Sequence, residues 1–466
     1  MNPCYQSYLK RWQKMTDTFD GETSMKARTL SDNPEQCKAT ANKNFNQYLR
    51  MSQGVKLDTQ NGYAKFCDYV FRSMYYPFVS AIHSQSLGMI NSREAEILLP
   101  SEFEYMVTDA NANQEPLNKV LSTINSEQIV KGRIGVMLEV NEGTTTAQNT
   151  FNICTYNAES IIDWEYSMIE GRQVPSFVNL KEVVSERSGA SIEQKEQYRI
   201  LQLDENGQYF QWVNEDADVD PTVLPPENRR TYPDVGGKRS SEIPFVCINV
   251  EKLGFNIENP FLEPVADSSI KLFQADAEYR NTMYFTSNAT LVTVGVTPEE
   301  QSNMRIGAQG YIGISASDGD AKFISAPSDS LSSNAQNVND LKMYCASLGV
   351  DVMQTNSPES GVALNTKIET KSASLKTLSE TGAEGIEVLL GIGARWQGVT
   401  GDIIIVGNTD FKTQVATPKD LLELMGVMQG GGMTKQDFFN FGKKNGYFQA
   451  ETLEDWQKQT VIETVM

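Results

Sequence analysis

Histidine is nearly absent from this chain: His83 is the only one in 466 residues. No second imidazole can complete a Ser/His/Asp arrangement and no HExxH occurs, so the flanking stretch YYPFVSAIHSQSLG favours a hydrogen-bonded structural role for His83. Six cysteines (Cys4, Cys37, Cys67, Cys154, Cys247, Cys345) are scattered without a CxxC pair. That argues against disulfides and a thiolate metal site and favours reduced, buried thiols. No apolar run approaches the ~18 residues of a membrane span, and MNPCYQSYLKRWQK lacks the apolar stretch of a signal peptide. No membrane contact is expected, and assembly in the cytoplasm is. Cations are scarce as well: 40 Lys and Arg stand against 60 Asp and Glu, a net charge of -20. This balance argues against holding nucleic acid by neutralising phosphates, yet it suits a surface past which DNA slides without sticking. Phosphate loops are missing too. GIGARW (Gly391 to Trp396) and QGGGMTK (Gln429 to Lys435) lack the GxGxxG and GxxxxGK[ST] spacings and read as a helix end and a turn. Carboxylates are plentiful, but no DxD or ExxH cluster stands out from the acidic background. No catalytic residue, cofactor or metal is therefore assigned.

What is present is a clear order of periodicities. The length exceeds what one hydrophobic core fills, so more than one packed region is expected. Residues 1 to about 45 mix charge with Ser, Thr and Asn and read as an arm. From Asn46 to about Leu99 apolar residues recur at three and four (Tyr63, Phe66, Val70, Met74), and Pro77 breaks the run. LNKVLSTINSEQIVKG predicts a helix ending at Gly132. Then GRIGVMLEV, FNICTY, SFVNLKEVV, QYRILQL, YFQWV and IPFVCINV alternate between turn signals, which predicts an α+β region with a mostly antiparallel sheet. A long helix over about Asn259 to Thr286 follows. It places Ala266, Ile270, Phe273, Ala277 and Tyr284 on one stripe and leaves Asp267, Lys271, Asp276, Glu278 and Arg280 to other faces. Next come LVTVGV, a short helix at TPEEQSNM, GYIGIS and AKFIS, and a second helix from Asn334 to about Met353 carrying Val338, Leu341, Tyr344, Cys345 and Leu348. Two helices flanking a β module predict an antiparallel stalk with a head. After TNSPESGVALNTK another long helix runs to about Ala394, burying Leu364, Ile368, Leu375, Leu378, Ile386 and Leu389, and DIIIV and further helical segments close the chain.

In this order, YVFRSMYYPFVSAIHSQSLGMI, VKGRIGVMLEV, TYNAESIIDW, IPFVCIN, NPFLEPVADSSIKLFQADAEYRNTMY and NTDF before a Leu-rich helix resemble the portal (head-tail connector) proteins of tailed bacteriophages, in the branch defined by an uncharacterised domain. The resemblance runs from about Tyr63 to the C-terminus. It departs at Glu139, where an aspartate is expected, and in the N-terminal arm, which has no counterpart.

The resemblance implies a portal fold that assembles as a homo-oligomeric ring, by family a dodecamer, at one capsid vertex of the virion. Through its channel a terminase motor packages double-stranded DNA without base-specific contact, and the genome is later ejected along the same path. A head-tail adaptor or tail proteins attach to it, and major capsid and scaffolding proteins are further partners. It implies an arm at 1–45, a wing at 46–258, a first stem helix at 259–287, a clip at 288–327, a second stem helix at 328–353, a tunnel loop at 354–361, a long wing helix at 362–398 and a crown at 399–466. Gln354, Asn356, Ser357, Pro358, Glu359, Ser360 and Gly361 would form the channel loop, where Pro358 resists helix continuation and Gly361 permits a sharp exit. Glu299, Glu300 and Arg305 would meet partners from the clip. Ile270, Phe273 and Ala277 would pack the stem against neighbouring copies. Two other readings stay open: another structural ring protein of the virion, such as a head-tail adaptor, and a metal-dependent enzyme acting through carboxylates.

Overall fold

Residues 1–27, 48–49, 60–141, 150–169, 172–188, 191–287, 290–304, 314–324, 329–353, 361–411, 424–428, 430–444 and 452–456 are described by the computed structural model. The chain divides into two compact units, Met1–Thr409 and Asp410–Met466.

The first correction comes at the N-terminus, where residues 1–27 of the expected arm form two helices, α1 (Pro3–Asp20) and α2 (Glu22–Ala27), and residues 28–45 lie outside the described residues. Asn2 caps α1 by accepting from the Cys4 N–H at 2.9 Å, and Pro3 occupies the first turn, where its missing donor costs nothing. Tyr5, Tyr8, Trp12 and Met15 recur at three and four, and Trp12 and Met15 are fully buried. The Trp12 Nε1–H donates to the Lys131 carbonyl at 3.1 Å. Helix α3 (Gln60–Arg72) and helix α4 (Phe78–Ile90) follow, separated by the break that Pro77 imposes. His83, on α4, lies 2.8 Å from the Ser126 Oγ with the Phe19 ring edge-on to it. This is the structural role its surroundings suggested, and burial lowers its pKa. Of the thiols, Cys247 and Cys345 are buried, whereas Cys4 is exposed, contrary to expectation.

Helix α5 (Leu117–Lys131) ends at Gly132, whose φ of 75° and N–H to the Gln128 carbonyl make a left-handed cap. A Cβ there would lie 3.1 Å from the Asn259 carbonyl oxygen, so the turn and the close approach both require glycine. Beyond it the period drops to two. Short β1 (Glu96–Leu98) precedes β2 (Arg133–Val140) and β3 (Phe151–Asn157), which pair antiparallel with Val136 opposite Thr155. A meander of β4 (Ile161–Ile169), β5 (Arg172–Ser188), β6 (Ser191–Leu203) and β7 (Tyr209–Asn214) forms a four-stranded antiparallel sheet. One face puts Val178, Leu180 and Leu201 into the main core, and the other holds Phe177, Ile200, Phe210 and Trp212 under the loop carrying Leu224 and Tyr232. A small hairpin, β8 (Asp234–Val235) with β9 (Lys238–Arg239), leads to β10 (Phe245–Asn249), which completes the three-stranded sheet beside β2. The strands expected between Gly132 and Val250 are therefore present and every pairing among the described residues is antiparallel, while GYIGIS falls mostly outside the described residues.

The remaining elements of the first unit are α6 (Glu263–Ser287), β11 (Thr290–Val294), α7 (Pro298–Asn303), β12 (Asp320–Ile324), α8 (Asp329–Met353), α9 (Gly361–Gln397) and β13 (Ile404–Val406), which pairs with β1. Helix α9 lies on the three-stranded sheet with Leu375, Leu378, Ile386 and Leu389 fully buried, as their spacing predicts. It approaches closely through glycines: a Cβ on Gly393 would sit 2.8 Å from Leu138 Cδ1. GIGARW forms the last turns of this helix. The second unit contains α10 (Lys435–Lys444), whose Phe438 and Phe439 pack around Trp456, and Gly430–Thr434 of QGGGMTK supply the turn before it. Among the described residues no helix is long and apolar enough to cross a membrane.

The burial of Trp12 gives a direct test of the N-terminal correction. Trp12→Ala should cost about 3–5 kcal/mol, the range for emptying a buried aromatic site. In guanidinium titration it should lower the unfolding midpoint, whereas truncating a solvated arm would leave the midpoint unchanged.

Candidate functional site

Helices α6 and α8 have 25 residues each and run antiparallel. Leu272 and Cys345 meet in one small cluster, while beyond the far ends Thr290 faces Ile324 across the β11–β12 pair. On α6 burial stops at Ala277. From there outward Met283, Tyr284 and Phe285 are exposed, and of the described α8 side chains only Val338 and Cys345 are buried. The outer half of the hairpin thus leaves the core carrying apolar side chains with it.

The stripe expected to meet a neighbouring copy is instead covered within the chain. Phe273 and Ala277 are buried and Ile270 is half-buried, in a cluster with Phe66, Tyr69 and Val70 of α3 and with Tyr48 and Leu49. Tyr284 and Tyr344, expected to lie inward, are exposed. Helix α3 gives the reason: it closes over the root of α6, which a periodicity count along α6 alone does not reveal.

Asp276, assigned to an outer face by its spacing, is 1% exposed. Its carboxylate accepts from the Met74 N–H at 3.0 Å, the Tyr76 hydroxyl at 3.3 Å and the Arg280 Nε at 2.7 Å. The first two donors sit in the break between α3 and α4, so one buried charge ties that break to the stalk. Nearby, the Tyr69 hydroxyl donates to Glu278, and the Arg72 guanidinium lies 4.1 Å over the Tyr284 ring. From the other side, Lys14 on α1 pairs with Glu263 at 2.9 Å and Asp267 at 2.6 Å.

At the distal end, β11, α7 and β12 form a small module. Thr297 and Glu300 make a reciprocal capping box: the Thr297 N–H donates to Glu300 Oε2 at 2.9 Å, and the Glu300 N–H donates to Thr297 Oγ1 at 3.3 Å. The second carboxylate oxygen accepts from the Ser315 N–H at 2.8 Å, tying the helix to the returning segment. These donors hold the Glu300 carboxyl down to about 2. Glu300, expected to meet partners, is therefore engaged inside the module, and T-x-x-E at 297–300 is the signal that marks this. Glu299 is exposed. Arg305 and the loop residues Gln354, Asn356, Ser357, Pro358, Glu359 and Ser360 lie outside the described residues, and Gly361 is the first residue of α9. Among the described residues no group of three or more His, Cys, Asp or Glu side chains is placed to hold a metal ion.

Residues 261–397, which span both stalk helices, the module and α9, match a family described as Domain of unknown function (DUF4055). No curated protein matches the chain. Solved structures similar to it include a chain from the neck of an empty GTA particle computed with C6 symmetry, at 10% identity, covering 79% of this chain and 88% of that one with a TM-score of 0.36. Another comes from the virion of a native gene transfer agent particle, at 12% identity, 82% and 90% coverage and a TM-score of 0.38. A third comes from the neck of a native GTA particle computed with C12 symmetry, at 10% identity, 78% and 88% coverage and a TM-score of 0.37. At these scores the likenesses carry no argument, and function rests on this chain's own geometry.

The capping box predicts a pH effect confined to the module. The folded carboxyl titrates below its ordinary value of 4.5, so its stabilisation is complete above that value and drains away as pH falls toward about 2. Hydrogen exchange in peptides 290–304 and 314–324 should accelerate over that window. Glu300→Ala should give the fast exchange already at neutral pH and abolish the dependence; unchanged protection in the variant would contradict the assignment.

Proposed function

We propose that this chain is a portal protein of a tailed phage or phage-like particle, a structural subunit whose copies form a ring around a DNA channel at one vertex of the capsid. One observation carries the reading: an antiparallel helical hairpin, tipped by a β module, leaves an α+β body with the apolar side chains of its outer half uncovered. A monomer gains nothing from exposing Met283, Phe285 and Met343, whereas in a ring the neighbouring hairpin covers them. The α+β body of residues 46–258 then serves as wing, α6 and α8 as stem, the module as clip and α9 as the long wing helix. The segment 399–466 serves as crown.

The roles of the parts follow from this reading. The clip is the docking point for terminase and later for an adaptor or tail protein, with Glu299 and Arg305 as contacts and Glu300 as the internal brace that shapes their surface. Residues 354–360 connect the end of α8 at Met353 to the start of α9 at Gly361 and form the loop that touches passing DNA. The net charge of -20, repeated around a channel, opposes tight adhesion of a polyanion.

The test is made on the loop. Deleting Ser357–Ser360 removes two serines, a proline and a glutamate, no large apolar side chain among them, and closing a loop shorter by a few residues changes stability by well under about 1 kcal/mol. Ring formation and capsid assembly should survive, while the fraction of heads holding full-length, nuclease-protected DNA should fall sharply. Pro358→Ala, which lets the preceding helix continue, should act in the same direction. Normal filling in the deletion would reject the channel loop and favour an adaptor-like ring that DNA only traverses after packaging.

A further inference from the structure

DIIIV, at 402–406, has no part in the stalk or the module. Four consecutive apolar residues in a strand call for burial on both faces, and the structure buries only one. Among the described residues β13 pairs with β1 alone: Glu96 lies opposite Val406, Ile97 opposite Ile405 and Leu98 opposite Ile404. Directly opposed residues share a face. The inner face, Ala95, Ile97 and Leu99 with Ile403 and Ile405, packs on the main core. The outer face carries Leu98, Ile404 and Val406, which are 56%, 44% and 49% accessible. Alternation continues this face to Glu94, Glu96 and Asp402, all exposed and without an ion pair to a described residue, and no Lys or Arg occurs in 94–98 or 402–406.

The edges of this two-stranded ribbon are already engaged. The Ala95 N–H donates to Asn118 Oδ1 at 3.2 Å, and the Ile405 N–H donates to Glu387 Oε1 of α9 at 2.6 Å. What the ribbon offers a partner is therefore its outer face rather than an edge for a further strand. Size and charge then describe the occupant. Two strands ~4.8 Å apart make a ribbon about 10 Å wide, close to the diameter of one α-helix, and three residues at ~3.3 Å span about two helical turns. An apolar stripe on such a helix covers Leu98, Ile404 and Val406, and the unpaired carboxylates beside them call for flanking cations. A second copy of the chain brings a net charge of -20 and the same acidic face, so the occupant is a different, cationic protein.

We infer that the outer face of β1 and β13 docks a short amphipathic helix of another protein, with a Leu or Ile stripe laid on Leu98, Ile404 and Val406 and Lys or Arg beside Glu94, Glu96 and Asp402. The surface lies on the body, apart from the module read as the docking point for motor and adaptor, and its use does not depend on ring formation.

The experiment uses the full chain with p-benzoyl-phenylalanine in place of Leu98, and a synthetic lysine and leucine peptide whose leucines recur at three and four, beside a scramble of equal composition and charge. Irradiation should give an adduct at position 98 with the patterned peptide and none with the scramble, and titration should show the patterned peptide binding at least about tenfold more tightly. In the chain without the probe, Leu98→Ser with Val406→Ser should lower that affinity at least about tenfold. Glu94→Gln, Glu96→Gln and Asp402→Asn together should lower it as well and flatten its salt dependence. All these side chains are exposed, so the unfolding midpoint should stay where it is. Equal binding of the scramble, absence of an adduct, or an affinity that neither set of substitutions changes overturns the docking surface, leaving only general attraction between a cationic peptide and an acidic chain. Adducts between two copies of the chain at position 98 without peptide overturn it too, because the occupant is then a second copy.

Discussion

The stalk stands where it does because of one buried carboxylate. Asp276 lies at the level where α6 leaves the body, and its three donors come from two directions: the Met74 amide and the Tyr76 hydroxyl from the α3–α4 break, and Arg280 from one turn further out. Removing one partner of a buried, hydrogen-bonded charge costs about 3–5 kcal/mol, much more than an exposed ion pair contributes. Apolar packing orients the hairpin as well, through Phe273 and Ala277 buried against Phe66, Tyr69 and Val70 of α3. Among the described residues the cluster between its two helices holds Leu272, Val338 and Cys345, supported by half-buried Tyr76, Phe78, Ala275, Tyr279 and Leu341. The direction of the stalk is therefore set at its root by the Asp276 contacts together with the apolar cluster around Phe273, and the paired helices beyond Ala277 depend on the root and on whatever covers their apolar surface.

That division explains which parts of the fold are legible in the sequence. Strands β2, β3, β5, β6, β7 and β10 follow from alternation between turn residues, and α9 follows from Leu375, Leu378, Ile386 and Leu389, because in each case the element's own spacing decides which face is buried. Helix α1 shows the limit. Tyr5, Tyr8, Trp12 and Met15 carry the helical spacing, but charged and polar neighbours dilute it, and only contact with the Lys131 carbonyl and the core identifies Trp12 as fully buried. Asp276 lies further out of reach, since two of its three donors, Met74 and Tyr76, are 202 and 200 positions away in the chain. A carboxylate on a helix reads as solvated until the elements that close over it are known. Glu300 is the opposite case: T-x-x-E before a short helix is a local signal with a local consequence.

Charge places a further constraint on assembly. A chain carrying -20 repels its copies at long range, so association depends on contacts that combine apolar burial with local pairing of opposite charges. The outer half of the hairpin supplies apolar surface around Met283, Tyr284 and Phe285. The body supplies both signs of charge at well-separated places. These are properties of a subunit that completes its surfaces in company.

The central claim is that the chain closes into a ring, and electron microscopy of the purified full-length protein combined with mass photometry tests it most directly. The account predicts annular particles with a stain-filled central hole and a mass at one fixed multiple of the 51.9 kDa chain. Uniform small globules at 51.9 kDa across the accessible concentration range would contradict it.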